Sequence, residues 1–294
     1  VSDSLKEYIS DYRNMIEMEL QEHLQKLSIP EQLKDSMLYS VEAGGKKLRP
    51  ILLLASYQAY KKDYKKAVSS SVALEMIHTY SLIHDDLPAL DDDDYRRGKP
   101  TNHKAFNEAT AILAGDALLT YSFEVIAKDP LLDAEQKVEI MKMLSFCSGP
   151  SGMVAGQFLD MGAENREVTI EELEKIHMLK TGKLLEFAVF TGAYLAGASE
   201  KQLEHLKQFS FYLGLIFQVQ DDILDVMGDE EQLGKPVGSD EGNEKSTYPK
   251  LLGIEGAIKK KEEYAANAAA ALQKANAQNT YLMALMEYFS NRSY

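Results

Sequence analysis

Apolar residues return along this chain at three- and four-residue intervals and almost nowhere at every second position. Tyr8, Tyr12, Ile16, Leu20, Leu24 and Leu27 mark one face of an amphipathic helix that stops before Pro30. A second helix is predicted over Glu31–Ala43, closed by Gly44-Gly45, residues that tolerate positive φ. Pro50 suits the first turn of an apolar helix reaching Tyr60, and Lys61–Lys66 reads as a solvated charged turn. The helical pattern over Ala67–His84 delivers Asp85 at its C-terminal end, and Pro88 blocks regular continuation there. After a turn-like stretch from Asp94 to Asn102, helices are predicted over 104–127, 133–146 and 153–161. Thr169 with Glu172 and Ser199 with Gln202 are capping boxes, opening helices that extend to Ala198 and Val226. A charged, glycine-bearing loop over 228–247 is long for a compact domain, which favours a functional lid or disorder. Helices over 255–275 and 281–290 follow it. No internal repeat is visible, and the 47 residues after the loop are few for a separate core. The pattern predicts one all-α domain spanning residues 1–294.

Composition narrows the classes. Hydrophobic residues at 45 % allow a sizeable core, and a net charge of −14 argues against general affinity for nucleic acid or an anionic membrane. One cysteine, Cys147, rules out an internal disulfide framework and suits a reducing compartment; it reads as a small buried hydrophobe. The first 27 residues carry acids throughout and lack an apolar run of signal-peptide type, and no run of about 18 apolar residues stands out. A cytoplasmic protein without a membrane anchor is expected.

Candidate chemistry concentrates in two acidic clusters. One is Asp85-Asp86-Leu87-Pro88-Ala89-Leu90-Asp91, running on through Asp94; the other is Asp221-Asp222-Ile223-Leu224-Asp225. Ionised carboxylates are expensive in such apolar surroundings unless a cation meets them. Asp221 and Asp225 are four apart, so a helix puts them on one face, one turn from each other. A divalent metal would hold both in the charged form, and oxygen-only ligands favour Mg²⁺ shared with substrate phosphates. Two such clusters would grip one diphosphate through several ions.

Basic residues stand at several suggestive places around these clusters. Gly44-Gly45-Lys46-Lys47-Leu48-Arg49-Pro50, His78 to Asp91 with Arg96-Arg97, Lys180-Thr181-Gly182, Gln218 to Asp225, and Gly234-Lys235 with Lys245-Ser246-Thr247 form an ordered series. In that order they resemble the trans-isoprenyl diphosphate synthases (trans-prenyltransferases). The four residues between Asp86 and Asp91 are similar to the bacterial, farnesyl-producing branch of that family.

The resemblance implies an all-α fold around a deep cavity, a homodimer, and an Mg²⁺-dependent condensation of isopentenyl diphosphate with dimethylallyl or geranyl diphosphate. It implies Asp85, Asp91, Asp221 and Asp225 as metal ligands, with Asp86 and Asp222 in the motifs but not necessarily ligating. Arg96, Lys180, Lys235 and Lys245 are implied at the allylic diphosphate. Lys46, Arg49, His78 and Arg97 are implied at the isopentenyl diphosphate, a site expected to hold no carboxylate. Thr181 and Gln218 would turn oxygen dipoles toward the allylic cation. Lys47 is expected to change little if it faces water. Tyr80, five residues before Asp85 and about 7.5 Å along a helix axis, is implied as the floor that stops chain growth at fifteen carbons.

Rival readings are a longer-chain geranylgeranyl diphosphate synthase, a terpene cyclase, and an acidic metal-binding protein without catalysis. The paired Asp221-Asp222 and the Lys46/Arg49 site disfavour a cyclase, and Arg96, Arg97 and Lys180 disfavour a metal buffer. His23, His103, His177 and His205 read as structural, with no partner that the sequence names.

Overall fold

The computed structural model describes residues 3–164, 166–227 and 246–292. Its helices are α1 (Asp3–Gln25), α2 (Glu31–Val41), α3 (Leu48–Gln58), α4 (Val68–Asp85), α5 (Asn102–Ala105), α6 (Glu108–Ala127), α7 (Ala134–Ser148), α8 (Met153–Ala163), α9 (Ile170–His177), α10 (Lys183–Leu195), α11 (Glu200–Met227), α12 (Tyr248–Lys274) and α13 (Tyr281–Asn291). The all-α expectation is met, apart from one small antiparallel hairpin, β1 (Tyr95–Arg96) with β2 (Lys99–Pro100). That hairpin occupies the predicted turn. Arg97 and Gly98 both have positive φ at its tip, 53° and 74°, as a tight two-residue connection requires.

Local signals set most boundaries. Gly44 and Gly45, at φ 86° and 100°, turn the chain after α2. The Thr169/Glu172 box is formed in both directions, and Ser199 and Gln202 exchange the same pair of bonds ahead of α11. Two predicted continuous helices are interrupted. Asn107 caps α6 by accepting from the Thr110 amide, which separates the short α5 from it. A π-helical turn, Met178–Gly182, separates α9 from α10 where one long helix was predicted. Gly253, at φ 71°, kinks α12.

The residues fall into two compact units, one drawn from 2–54 and 63–142, the other from 55–62 and 143–294. In the first, α4 packs on α6, with Val72, Met76 and Ile77 of α4 and Ala111, Ala114 and Leu118 of α6 buried. By length and composition alone, α6 is the one helix among the described residues that could cross a membrane. Its buried stripe against α4 gives that apolarity a packing role. In the second unit α11 packs on α12 and α10, burying Leu213, Ile216 and Val219 together with Tyr248 and Leu272. Each such side chain contributes about 1.5–3 kcal/mol on full burial, and this core fixes the register of the second acidic motif.

Candidate active site

In the first unit, α4 ends at Asp85, so its first two acidic residues lie at the negative end of the helix dipole. The chain then folds back on itself. The Asp91 amide donates to the Asp85 carbonyl at 2.8 Å, and the Asp92 and Asp93 amides donate to Leu87 and Asp86. Asp85 and Asp91 are thereby held at the two ends of one closed loop.

Asp86 behaves differently. Its carboxylate is buried and takes the Arg96 guanidinium fork, with Nε at 2.9 Å and Nη2 at 2.6 Å from Oδ1. Burial pushes its carboxyl above the ordinary range, and Arg96 pulls against that. Arg96 was expected at a diphosphate; its guanidinium is paired with Asp86.

Arg97, the next residue, donates from Nη1 to the Gly44 carbonyl at 2.6 Å. Its guanidinium lies where a side chain at Gly45 would be, and the φ of 100° there already favours glycine. Arg49 Nη1 is 3.3 Å from His78 Nε2. Burial, then Arg49, Arg97, Lys47 and Arg96, hold the His78 imidazole well below its usual pKa. A guanidinium can only donate, so His78 is neutral and accepts through Nε2. Arg49, His78 and Arg97 thus form one cationic cluster, with half-buried Lys46 in the adjoining loop.

Two expectations about this cluster are corrected. Lys47 does not face water; it is buried at φ 50°, 3.0 Å from Glu75 and 3.0 Å from the Val41 carbonyl. And the cluster does contain a carboxylate, Glu75, only 2 % exposed. It pairs with the buried Lys47, and its charge also favours the charged form of Arg97.

The second unit carries the other motif in the last two turns of α11, again toward a negative helix end. Asp222 is buried and accepts from the Tyr248 amide at 2.9 Å and from Gln218 Nε2 at 3.1 Å. It therefore satisfies a backbone donor in the first turn of α12 and ties the two helices together. The bond also commits the nitrogen end of Gln218, leaving its oxygen end for other partners. Asp225 is buried as well, at 2 % exposure. Asp221 is more open and accepts from Arg292 Nη2.

Lys180 and Thr181 lie in the π-helical turn, a distortion that often marks a functional position. Lys180 Nζ reaches Asp160 Oδ2 on α8 at 2.6 Å. A side chain at Gly156 would collide with the Lys180 backbone, so that glycine sets how closely α8 approaches. Asp160, Lys180, Gln218, Asp222 and Thr247 line one cavity of about 110 Å³. His177 lines it too and stacks on Tyr248, with ring centroids 6.0 Å apart and planes at 21°, so it has the partner that the sequence did not name.

A polyprenyl synthetase family model matches residues 30–288 of the chain. Curated relatives include a farnesyl diphosphate synthase of Bacillus subtilis, 54 % identical and aligned over 87 % of this chain and 88 % of its own length. Another, from Geobacillus stearothermophilus, is 49 % identical over 87 % of each. Among solved structures, an FPP/GFPP synthase from Zymomonas mobilis superposes with a TM-score of 0.86 at 33 % identity, covering 98 % of this chain and 99 % of that one. The chain belongs to the polyprenyl synthetase family.

Family membership implies a metal, and the donor set fits one. Both motifs offer carboxylates at helix ends where the dipole favours a cation. Among the described residues no three His, Cys, Asp or Glu side chains form a ready-made cage.

The sequence reading missed Asp160, Glu75 and Arg292. Asp160 had a signal, as an acid on an otherwise apolar helix; Glu75 had the same one, inside the apolar pattern of α4. Arg292 had none. Lys235 and Lys245 lie outside the described residues, as does nearly all of the predicted 228–247 loop.

Proposed function

We propose that this polyprenyl synthetase is a farnesyl diphosphate synthase, joining isopentenyl diphosphate to dimethylallyl and then geranyl diphosphate. The observation that carries the reading is the pairing, within the first unit, of two kinds of anion site. A carboxylate loop suited to metal adjoins a cationic cluster of Arg49, His78 and Arg97. An enzyme that ionises one diphosphate and merely holds another needs both. Relatives that carry the farnesyl diphosphate synthase name support the product assignment.

Asp85, Asp91, Asp221 and Asp225 would hold Mg²⁺. When bound, Mg²⁺ supplies positive charge to the departing diphosphate, stabilising the ionised state over the intact substrate. Lys180 adds a fixed cation for the allylic diphosphate, positioned by Asp160. The allylic C–O bond breaks with its electron pair leaving on oxygen. The oxygen dipoles of Thr181 and Gln218 stabilise the cation that remains. Lys46, Arg49 and Arg97 hold isopentenyl diphosphate by charge and hydrogen bonds, and neutral His78 contributes a ring N–H. Attack by the isopentenyl double bond forms the new C–C bond, and the proton released passes to the departed diphosphate.

The protein acts as a cytoplasmic homodimer in this reading. An apolar stripe on α8 supports dimerisation: Val154, Phe158 and Met161 share one helix face, and Phe158 is 77 % exposed. The test is to incubate purified protein with Mg²⁺, labelled isopentenyl diphosphate, and dimethylallyl or geranyl diphosphate, then resolve the products by chain length. A fifteen-carbon product is expected. No extension by folded protein would overturn the enzyme, and a twenty-carbon main product would overturn the farnesyl assignment.

A further inference from the structure

Arg292 is bound to the second acidic motif by more than Asp221. Its guanidinium lies 4.0 Å from the centre of the Phe217 ring, and Nη2 donates to the Phe217 carbonyl at 3.1 Å. Its own carbonyl accepts from Gln220 Nε2 at 2.7 Å. Lys261 then bridges Gln220 Oε1 at 2.8 Å and the Ser290 carbonyl at 2.7 Å. The end of α13 is thus strapped onto α11 by contacts that would hold the guanidinium in place even without the Asp221 carboxylate. The Arg292 side chain is 8 % exposed and that of Asp221 is 41 % exposed, so the fixed partner is the cation and the accessible one is the acid.

We infer that Arg292 is a resident counter-cation of Asp221 that competes with the metal, so that the C-terminal strap sets how tightly this carboxylate takes up a divalent ion. The inference rests on the proposed role of Asp221 as a metal ligand. Before metal arrives, the guanidinium offsets part of the repulsion among three carboxylates set within five residues. Metal binding requires Asp221 to exchange one cation for another. The positive charge remaining on Phe217 then opposes the incoming ion.

The test is a titration of the substrate-free protein with Mn²⁺ alone, followed by electron paramagnetic resonance, which reads binding without turnover. Arg292→Gln should tighten Mn²⁺ binding by roughly three- to tenfold, the scale of a partly exposed ion pair. Lys261→Met, which loosens the strap without touching Asp221, should shift binding the same way by less. Asp221→Asn separates the two readings. If it weakens Mn²⁺ binding and abolishes the effect of Arg292→Gln, the inference stands. If it weakens binding while Arg292→Gln and Lys261→Met in folded protein leave affinity unchanged or lower it, the inference alone falls. If Asp221→Asn leaves Mn²⁺ binding unchanged, Asp221 is no ligand and both the inference and that part of the proposed function fall.

Discussion

The two acidic motifs arrive at the same division of labour by different local means. In each, the second aspartate of the pair is buried and spent on structure: Asp86 on the Arg96 fork, Asp222 on the Tyr248 amide and Gln218. The outer residues are the ones proposed as metal ligands. In the first motif a helix end and a refolded loop separate the two roles, with Asp85 and Asp91 joined through the backbone. In the second, a continuous helix does so, through the 100° rotation from one residue to the next. Adjacent aspartates are therefore not duplicates. One anchors the motif so that its neighbour can be held in position while charged.

The largest effect should come from the outer positions. Asp85→Ala and Asp221→Ala should each lower kcat by about two to three orders of magnitude, the cost of removing one preorganised electrostatic contact to a developing anion. Circular dichroism and unfolding midpoints should stay near those of the parent protein. A variant that loses its fold along with its activity would place that aspartate with the anchors and break the distinction.

The anchors should respond in the opposite sense. Asp222→Ala leaves a buried amide of α12 unsatisfied and should cost about 2–4 kcal/mol in denaturant unfolding. Asp86→Ala should cost less, roughly 1–2 kcal/mol, because the Arg96 side chain is 32 % exposed and water can replace its partner. Equal losses would mean that burial of the partner does not matter, contrary to the geometry of both motifs.

How much of this was legible beforehand follows the same line between local and non-local causes. Caps, glycine turns and the helix ends at Asp85 and Met227 are written in neighbouring residues, and the sequence pattern finds them to within a few positions. The acidic and basic motifs are legible as sets, because carboxylates and cations within apolar patterns call for a reason. Pairings between distant segments are not legible. Nothing near Lys47 in sequence announces Glu75, nothing near Asp221 announces Arg292, and nothing near Lys180 announces the close approach of Gly156 on α8. Arg96 shows the consequence: the family resemblance implied a diphosphate, and its partner is an aspartate ten residues earlier.

Chain-length control by Tyr80, proposed for the first motif only, should sharpen the contrast. Tyr80 sits five residues before Asp85, 7 % exposed, with its ring edge-on to His84 at 5.7 Å. Burial and then the Asp85 charge push its phenol up to about 12, so it is neutral and close enough to sense the motif. Tyr80→Ala should shift the product from fifteen toward twenty carbons with activity retained. Ile216, five residues before Asp221, is wholly buried against its own unit. Ile216→Ala should cost about 2–4 kcal/mol of stability and leave product length alone. An unchanged product from Tyr80→Ala would remove the floor from this helix.

The smallest effect is a pH dependence confined to the first motif's neighbourhood. His78 is held neutral by burial and by Arg49, Arg97, Lys47 and Arg96, with its pKa well below the ordinary 6.5. Between that depressed value and 6.5 the unfolded chain binds a proton that the folded protein excludes, so stability rises with pH across this window and levels off above it. The slope for one such group is at most about 1.4 kcal/mol per pH unit. Burial lowers His23 in the same direction, so its contribution has the same sign. His78→Gln should flatten the dependence below pH 6.5 and leave the remainder due to His23, as read from denaturant midpoints across that window. Inorganic pyrophosphate should flatten it too if it binds the Arg49–His78–Arg97 cluster, because its negative charge offsets the cations that disfavour a protonated ring. A slope unaffected by either change would mean that the imidazole is not what excludes the proton, and the cationic cluster would lose its claim to an anionic ligand at that point.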